Sequence, residues 1–262
     1  MQHDYWRIQD PQKPLFPDVE WSKPEQQQQR GKLGIIGGNK LGLRAVAESY
    51  EVALQSGAGE ARVLLPDSLK KTVPPSMHDV IYGSSNPSGA LAKDALIECL
   101  ALGAWSSTLL LIGDAGRNSE TAIVYEQLLD KYQGPLVITR DAFDLVRLAG
   151  EQLANRPDTH LVLSFAQLQK LFQAVYYPKV LTFSMQLMHL VEALHKFTIT
   201  YPISLTVFHQ ETIIVAHDGN ITTTPWNNPM AIWRGNTPTR AATYLMWTPR
   251  RPLEAITASL IS

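Results

Sequence analysis

The chain of 262 residues contains a single cysteine, Cys99. An internal disulfide framework is therefore excluded, and order must come from a packed core. Cys99 sits in the apolar run ALIECLAL and reads as a core thiol rather than a reactive one. No charge of one sign dominates: 23 basic side chains stand against 24 acidic ones, for a formal net charge of −1. That balance argues against a broad electrostatic grip on nucleic acid or on an anionic membrane. No apolar stretch approaches the roughly 18 residues that a bilayer span needs. The amino-terminal MQHDYWRIQDPQKPLFPDVEW lacks the apolar centre of a signal peptide. A cytoplasmic location is expected, with the Asn220-Ile-Thr sequon unused.

The seven histidines do not cluster. His189 and His195 lie six apart on one helical stretch and fall on different faces. There is no H-E-x-x-H, no C-x-x-C and no G-x-S-x-G, which excludes the usual zinc sites and serine hydrolases. No metal site is expected.

What is present is apolar material, 45% of the residues against 18% charged, enough for one large α/β domain. Residues 1–30 stand apart, with four prolines, the Gln26–Gln29 run and isolated Tyr5, Trp6, Phe16 and Trp21. A glutamine run alone suggests disorder, but exposed tryptophan gains an unused tail nothing. An extended arm is expected, lying across this domain or across a neighbouring subunit as a homo-oligomer contact.

From residue 31 to 262 strands and helices alternate. KLGIIGG, EARVLLP, STLLLIG, GPLVITRD, THLVLSF and ISLTVFH read as strands; RAVAESYEVALQSG, ALAKDALIECLAL, SETAIVYEQLLDKY, AQLQKLFQAV and SMQLMHLVEALHKF read as helices. Asp218-Gly219-Asn220, between two β-rich runs, signals a hairpin near the carboxyl end. The pattern predicts a three-layer α/β/α sandwich with a mostly parallel central sheet.

Ligands of such sheets bind beyond the carboxyl ends of the strands, which directs attention to the loops there. GGNKLG, at 37–42, misses the dinucleotide spacing and the P-loop lysine pair, but brings Asn39 and bare backbone to a strand end. GDAGRNSE, at 113–120, combines Gly113 and Gly116 with Asp114, Arg117, Asn118, Ser119 and Glu120. Asn118 or Ser119 can cap the next helix, and the loop suits a phosphate or a sugar hydroxyl. In TRDAFD, Asp141 could hold a proton, hold magnesium through water, or cap a helix beginning at Ala142. Farther on, NNPMAIWRGNTPTRAATYLMW reads as a loop entering a helix, with Thr237 as its cap and Pro238 at its first position. Arg234 and Arg240 flank that helix start, a natural place for an anion.

The order GKLGIIGGN…SGAGEARVLLP, LLLIGDAGRN, GPLVITRDAFDLV and HLVLSFAQLQKL resembles the ribokinase-like fold. Within it the sequence is most similar to ADP- or ATP-dependent NAD(P)H-hydrate dehydratases, from about Gly31 to Trp247. SGAGEARVLLP matches a family segment S-G-A-G-x-x-x-V-x-x-P. The resemblance places the family's glycine-rich GPGLG loop on GDAGR. It places the family's DADAL on TRDAF, keeping Asp141 but setting Thr139 where the first aspartate belongs. The family's HPGE falls on Ser164 to Gln167, and its KGA lysine falls near Phe208. The family's GTGD builds an anion hole and supplies a catalytic aspartate; it falls on Ile232, Trp233, Arg234, Gly235, Asn236 and Thr237, with Asn236 or Thr237 at the aspartate position.

Three functions follow. The first is a divergent protein that binds a nucleotide, ATP or ADP with Mg2+, or another phosphorylated small molecule through Trp233, Arg234, Gly235, Asn236 and Thr237, its catalytic aspartate lost. The second is a working dehydratase or small-molecule kinase that uses Asp114, Glu120 or Asp141 as a relocated base. The third is a non-catalytic oligomeric interaction protein assembled through its arm.

Overall fold

A computed structural model describes residues 4–261 of the chain. It begins at a sheet edge with β1 (Trp6–Ile8) and reaches β2 (Lys32–Gly37) through two 3-10 turns. Then come α1 (Arg44–Ser56), β3 (Glu60–Pro66), β4 (Val80–Gly83), α2 (Leu96–Trp105), β5 (Thr108–Gly113) and α3 (Ser119–Lys131). The middle of the chain forms β6 (Leu136–Thr139), α4 (Arg140–Val146), α5 (Gly150–Ala154), β7 (Thr159–Ser164), α6 (Phe165–Ala174) and α7 (Leu187–Thr200). It closes with β8 (Ser204–His209), β9 (Thr212–His217), β10 (Asn220–Pro225), α8 (Pro229–Trp233), α9 (Asn236–Trp247) and α10 (Pro252–Ser259).

The strands form one 10-stranded sheet in the order β1-β10-β9-β8-β7-β6-β5-β2-β3-β4. β9 runs antiparallel to β8 and β10, and the other pairings are parallel. The expected mostly parallel sheet with a late hairpin is therefore what the chain builds.

Alternate side chains of the strands feed two cores, as the period of two requires. Leu33, Ile35, Val63, Leu65, Leu110 and Ile112 face the layer of α1, α9 and α10. Ile36, Leu64, Leu109 and Leu111 face the layer that runs from α2 to α7. A parallel strand covered on both sides must be apolar throughout, and every residue of β5 is buried. Cys99 is buried within this second core, and burial pushes its thiol up to about 12, which makes it inert at neutral pH.

Helix ends obey local chemistry. α1 stops at Gly57, whose φ of 99° allows its N–H to reach the carbonyls of Ala53 and Leu54. α6 starts with a reciprocal capping box: Gln167 N–H donates to Ser164 Oγ and Ser164 N–H donates to Gln167 Oε1, both at 3.1 Å. Both ends of β9 turn through two residues with positive φ, Gln210-Glu211 and Asp218-Gly219, the conformation that matches sheet twist.

The amino-terminal segment packs on its own chain. Trp6 Nε1 donates to Thr223 Oγ1 at 3.0 Å, and Tyr5 stacks on His195 with centroids 3.7 Å apart. Phe16 and Val19 join Tyr244, Trp247, Ala255 and Ala258 in a separate cluster beneath α9 and α10. Trp21 and Ile8 stay exposed.

Candidate ligand site at the strand ends

β2 lies between β3 and β5, so the chain leaves it toward one edge and returns on its other side. Loops leaving the carboxyl ends of β2 and β5 border this switch point, the place where open α/β sheets have their ligand crevice. Asn39 and Asp114 meet there. Asn39 Nδ2 donates to the Asp114 carbonyl, and Leu41 N–H donates to Asn39 Oδ1 at 2.7 Å. GGNKLG is thus a tight turn closed on itself, with Asn39 and Gly42 exchanging backbone hydrogen bonds.

The two aspartates of the crevice are fully engaged. Arg140 Nη2 donates to Asp114 Oδ1 at 2.6 Å, and Ala45 N–H donates to Asp114 Oδ2 at 3.0 Å. The second contact caps α1, whose own preceding residue, Leu43, has no side chain able to do so. Asp141 does not cap a helix beginning at Ala142. α4 begins two residues earlier, at Arg140, and the Asp141 carboxylate turns back to receive N–H bonds from Asp114 at 2.8 Å and Gly116 at 3.0 Å. Burial pushes the Asp141 carboxyl above its ordinary value, against the two N–H groups that favour its charge.

The remaining GDAGRNSE residues divide. Asn118 Oδ1 caps α3 by accepting from Glu120 N–H at 2.8 Å, while Glu120 Oε1 accepts from Lys93 N–H at 3.0 Å. The counter-charge of this loop comes from Arg140, at the next strand end. Gly116, Arg117, Asn118, Ser119 and Asp141 line a cleft of about 410 Å³ whose far wall carries Arg147 and Lys170. Lys170 pairs with Asp144 at 2.7 Å. Gln167 Nε2 donates to the Arg140 carbonyl and to Asp144, so Ser164 and Gln167 shape the strand ends instead of offering a histidine and a glutamate. Arg140 carries no sequence signal beyond its place beside Asp141 at a strand end. Its φ of 55° could not be read in advance.

Trp233, Arg234, Gly235, Asn236 and Thr237 lie across the sheet, on the α1 side. The expected loop is the short helix α8, and α9 begins at Asn236 with Gly235 at the cap position. Thr237 and Pro238 therefore sit inside the first turn, and Thr237 is not the cap. Gly235 holds a φ of 96°, and a Cβ there would lie 2.6 Å from Ser49 Oγ, so α9 enters tightly against α1. Ser49 Oγ and Thr237 Oγ1 are buried without a hydrogen-bond partner among the described residues. Arg234 and Asn236 edge a separate cavity of about 260 Å³ that also carries Glu48 and Glu51. Trp233 packs, half-buried, against the α1-side core. The structure thus brings Asn39, Gly113, Asp114, Gly116 and Asp141 together, while Arg234 and Asn236 line a cavity that shares no residue with the GDAGRNSE cleft.

A ribokinase-like superfamily protein from Enterococcus faecalis superposes on 100% of this chain and 88% of its own, with a TM-score of 0.72 at 16% identity. The chain has the ribokinase-like fold. An ADP/ATP-dependent NAD(P)H-hydrate dehydratase from Bacillus subtilis, co-crystallized with ATP/Mg2+, covers 92% of this chain and 83% of its own at 10% identity, with a TM-score of 0.61. A pyridoxal kinase from Staphylococcus aureus, in complex with AMP-PCP and pyridoxal, covers 87% and 84% at 11% identity, with a TM-score of 0.52. No protein-family model and no curated protein matches the sequence. Among the described residues no helix is long and apolar enough to cross a membrane.

Proposed function

We propose that this ribokinase-like protein binds a nucleotide, ATP or ADP, or another phosphorylated small molecule at the carboxyl ends of its strands, in the cytoplasm, and that binding rather than turnover is its role. The placement of the carboxylates carries this reading. Asn236 and Thr237 stand at the start of α9, where the resemblance expects an aspartate. Each oxygen of Asp114 and Asp141 already accepts a hydrogen bond from the protein. Loss of a positioned acid or base typically costs ~10²–10⁴-fold in rate.

Anion binding fits the residues better than magnesium does. Arg117, Arg147 and Lys170 line the GDAGRNSE cleft, where Lys170 is paired with Asp144. Among the described residues no group of three histidine, cysteine or carboxylate side chains could hold a metal ion. Magnesium would have to arrive on the phosphates of a nucleotide.

One observation favours a second reading, a dehydratase or small-molecule kinase with a relocated base. Asp141 lines the cleft, and burial raises its carboxyl above its ordinary value, the direction that suits a proton carrier. Self-association through the arm, the third reading, would rest on exposed Trp21 and Ile8.

Thermal melts with ADP, ATP, NADH and NADPH, each with and without magnesium, test the proposal. A ligand at 100 times its Kd adds about 2.7 kcal/mol, a shift of a few degrees. A shift without turnover supports binding; turnover abolished by Asp141→Asn would transfer the case to the enzyme. No shift with any nucleotide would sink the nucleotide reading.

A further inference from the structure

A further cavity, of about 260 Å³, opens at the opposite end of the sheet, at the amino ends of β5 to β8 and under the turn from α9 to α10. Five proline rings bound it: Pro135, Pro157 and Pro202, just ahead of strands, and Pro249 and Pro252 from the covering turn. Proline suits the residue before a strand, where no ladder N–H is required. Together these rings make rigid apolar walls that lose no rotamer freedom when something lies against them.

The polar floor is narrow. His160 is buried and spends both ring nitrogens inside the protein, Nδ1 on the Ser204 carbonyl at 3.3 Å and Nε2 on Thr206 Oγ1 at 3.2 Å. His217, at the end of β9, is half-buried and lines the cavity. Its Nδ1 meets Ser204 Oγ at 2.9 Å, which fixes the ring and leaves Nε2 as the nitrogen for an occupant. Asp158 and Arg250 stand at the exposed rim with opposite charges, so the mouth selects neither cations nor anions.

We propose that this cavity binds the flat ring of a neutral nitrogen heteroaromatic compound, its faces against the proline walls and one ring nitrogen on His217 Nε2. The volume is slightly below the roughly 300–1,000 Å³ of drug-sized pockets, which limits the buried part to one ring or a fused pair. A few directional polar groups in an apolar slot are what orient such a ligand. This site lies at the far end of the strands from the GDAGRNSE cleft and does not depend on what that cleft binds.

The test is a pair of titrations of the full-length protein, followed by backbone amide NMR. Benzimidazole supplies ring nitrogens, and benzofuran has nearly the same shape with none. Saturable benzimidazole binding is expected, with benzofuran weaker by about 2–10-fold, the worth of one neutral hydrogen bond. Shifted amides should map to residues around Pro135, Asp158, Pro202 and His217. His217→Phe should bring benzimidazole down to the benzofuran level or below, and Asp141→Asn should leave its binding unchanged. Should His217→Phe fail to fold, the wild-type map and the benzimidazole to benzofuran ratio decide. Absence of saturable binding, equal affinity for the two rings, or shifts at Gly113 to Gly116 instead would overturn the proposal.

Discussion

Asp114 and Arg140 form an ion pair of 2.6 Å across the ends of β5 and β6, and both residues hold a left-handed backbone, at φ 53° and 55°. Neither is glycine, so the conformation carries a cost that its surroundings offset. What offsets it is a network: Asp114 also caps α1, and Gln167 binds the Arg140 carbonyl. The loops that could meet a ligand are therefore fixed in place before one arrives.

Breaking that network from one side should be costly. Asp114→Ala strands a partly buried guanidinium and uncaps α1 at once, and the expected loss is about 3–5 kcal/mol. Arg140→Ala strands only the carboxylate, which keeps its bond to Ala45. It should lose less, and Asp114→Ala with Arg140→Ala should lose less than the sum. Urea unfolding of the two single variants and the double variant measures this.

Gly113 sits at φ 96°, and a Cβ added there would come within 2.3 Å of Asp141 Oδ1. Gly113→Ala should therefore lower stability by at least about 1–3 kcal/mol and also displace Asp141 from the Asp114 and Gly116 N–H groups. A melting temperature equal to that of the parent would show that the turn has room to spare.

His160 links stability to pH. Burial pushes its folded value down to about 3, from an ordinary 6.5. Below pH 6.5 the unfolded chain takes up a proton that the folded one refuses, so stability is full above 6.5 and falls as pH drops toward 3. The slope from this one group is at most about 1.4 kcal/mol per pH unit. His217 is shifted in the same direction by burial and adds to the fall. His160→Gln should give a shallower acid limb in a series of unfolding curves from pH 7 to pH 4; an unchanged limb would place the acid sensitivity elsewhere.

Phe16 is buried under α9 and α10 beside Val19, Tyr244 and Trp247. Phe16→Ala should cost about 3–5 kcal/mol if this cluster belongs to the cooperative unit. Trp21→Ala, on the exposed side of the same 3-10 turn, should change stability by less than about 0.5 kcal/mol. Calorimetry of both variants separates a segment that stabilises the domain from one that merely rests on it.

Elements with local causes were legible in the sequence, and those with distant causes were not. Val63, Leu64 and Leu65 could be recognised as strand because apolar continuity is a local property of a covered parallel sheet. The Asp218-Gly219 turn was equally legible, since glycine tolerates positive φ. The matching Gln210-Glu211 turn was not: neither residue advertises a turn, and the pairing of β8 with β9 imposes it. β4 and α10 also escaped notice, the first being four residues long and the second lying past the end of the family resemblance.

The amino-acid sequence by itself determined the alternation of strands and helices, the two-sided burial of the sheet and the set of polar loops at its carboxyl ends. It also determined that no carboxylate stands at Asn236 or Thr237. Only the tertiary structure decided the partners of those polar groups. Asp114 caps a helix 69 residues away, Asp141 holds the turn after β5 rather than its own helix, and Arg140 supplies the counter-charge of Asp114. Each of these contacts joins residues from different strand ends, and a bond between distant segments leaves no periodicity in either one.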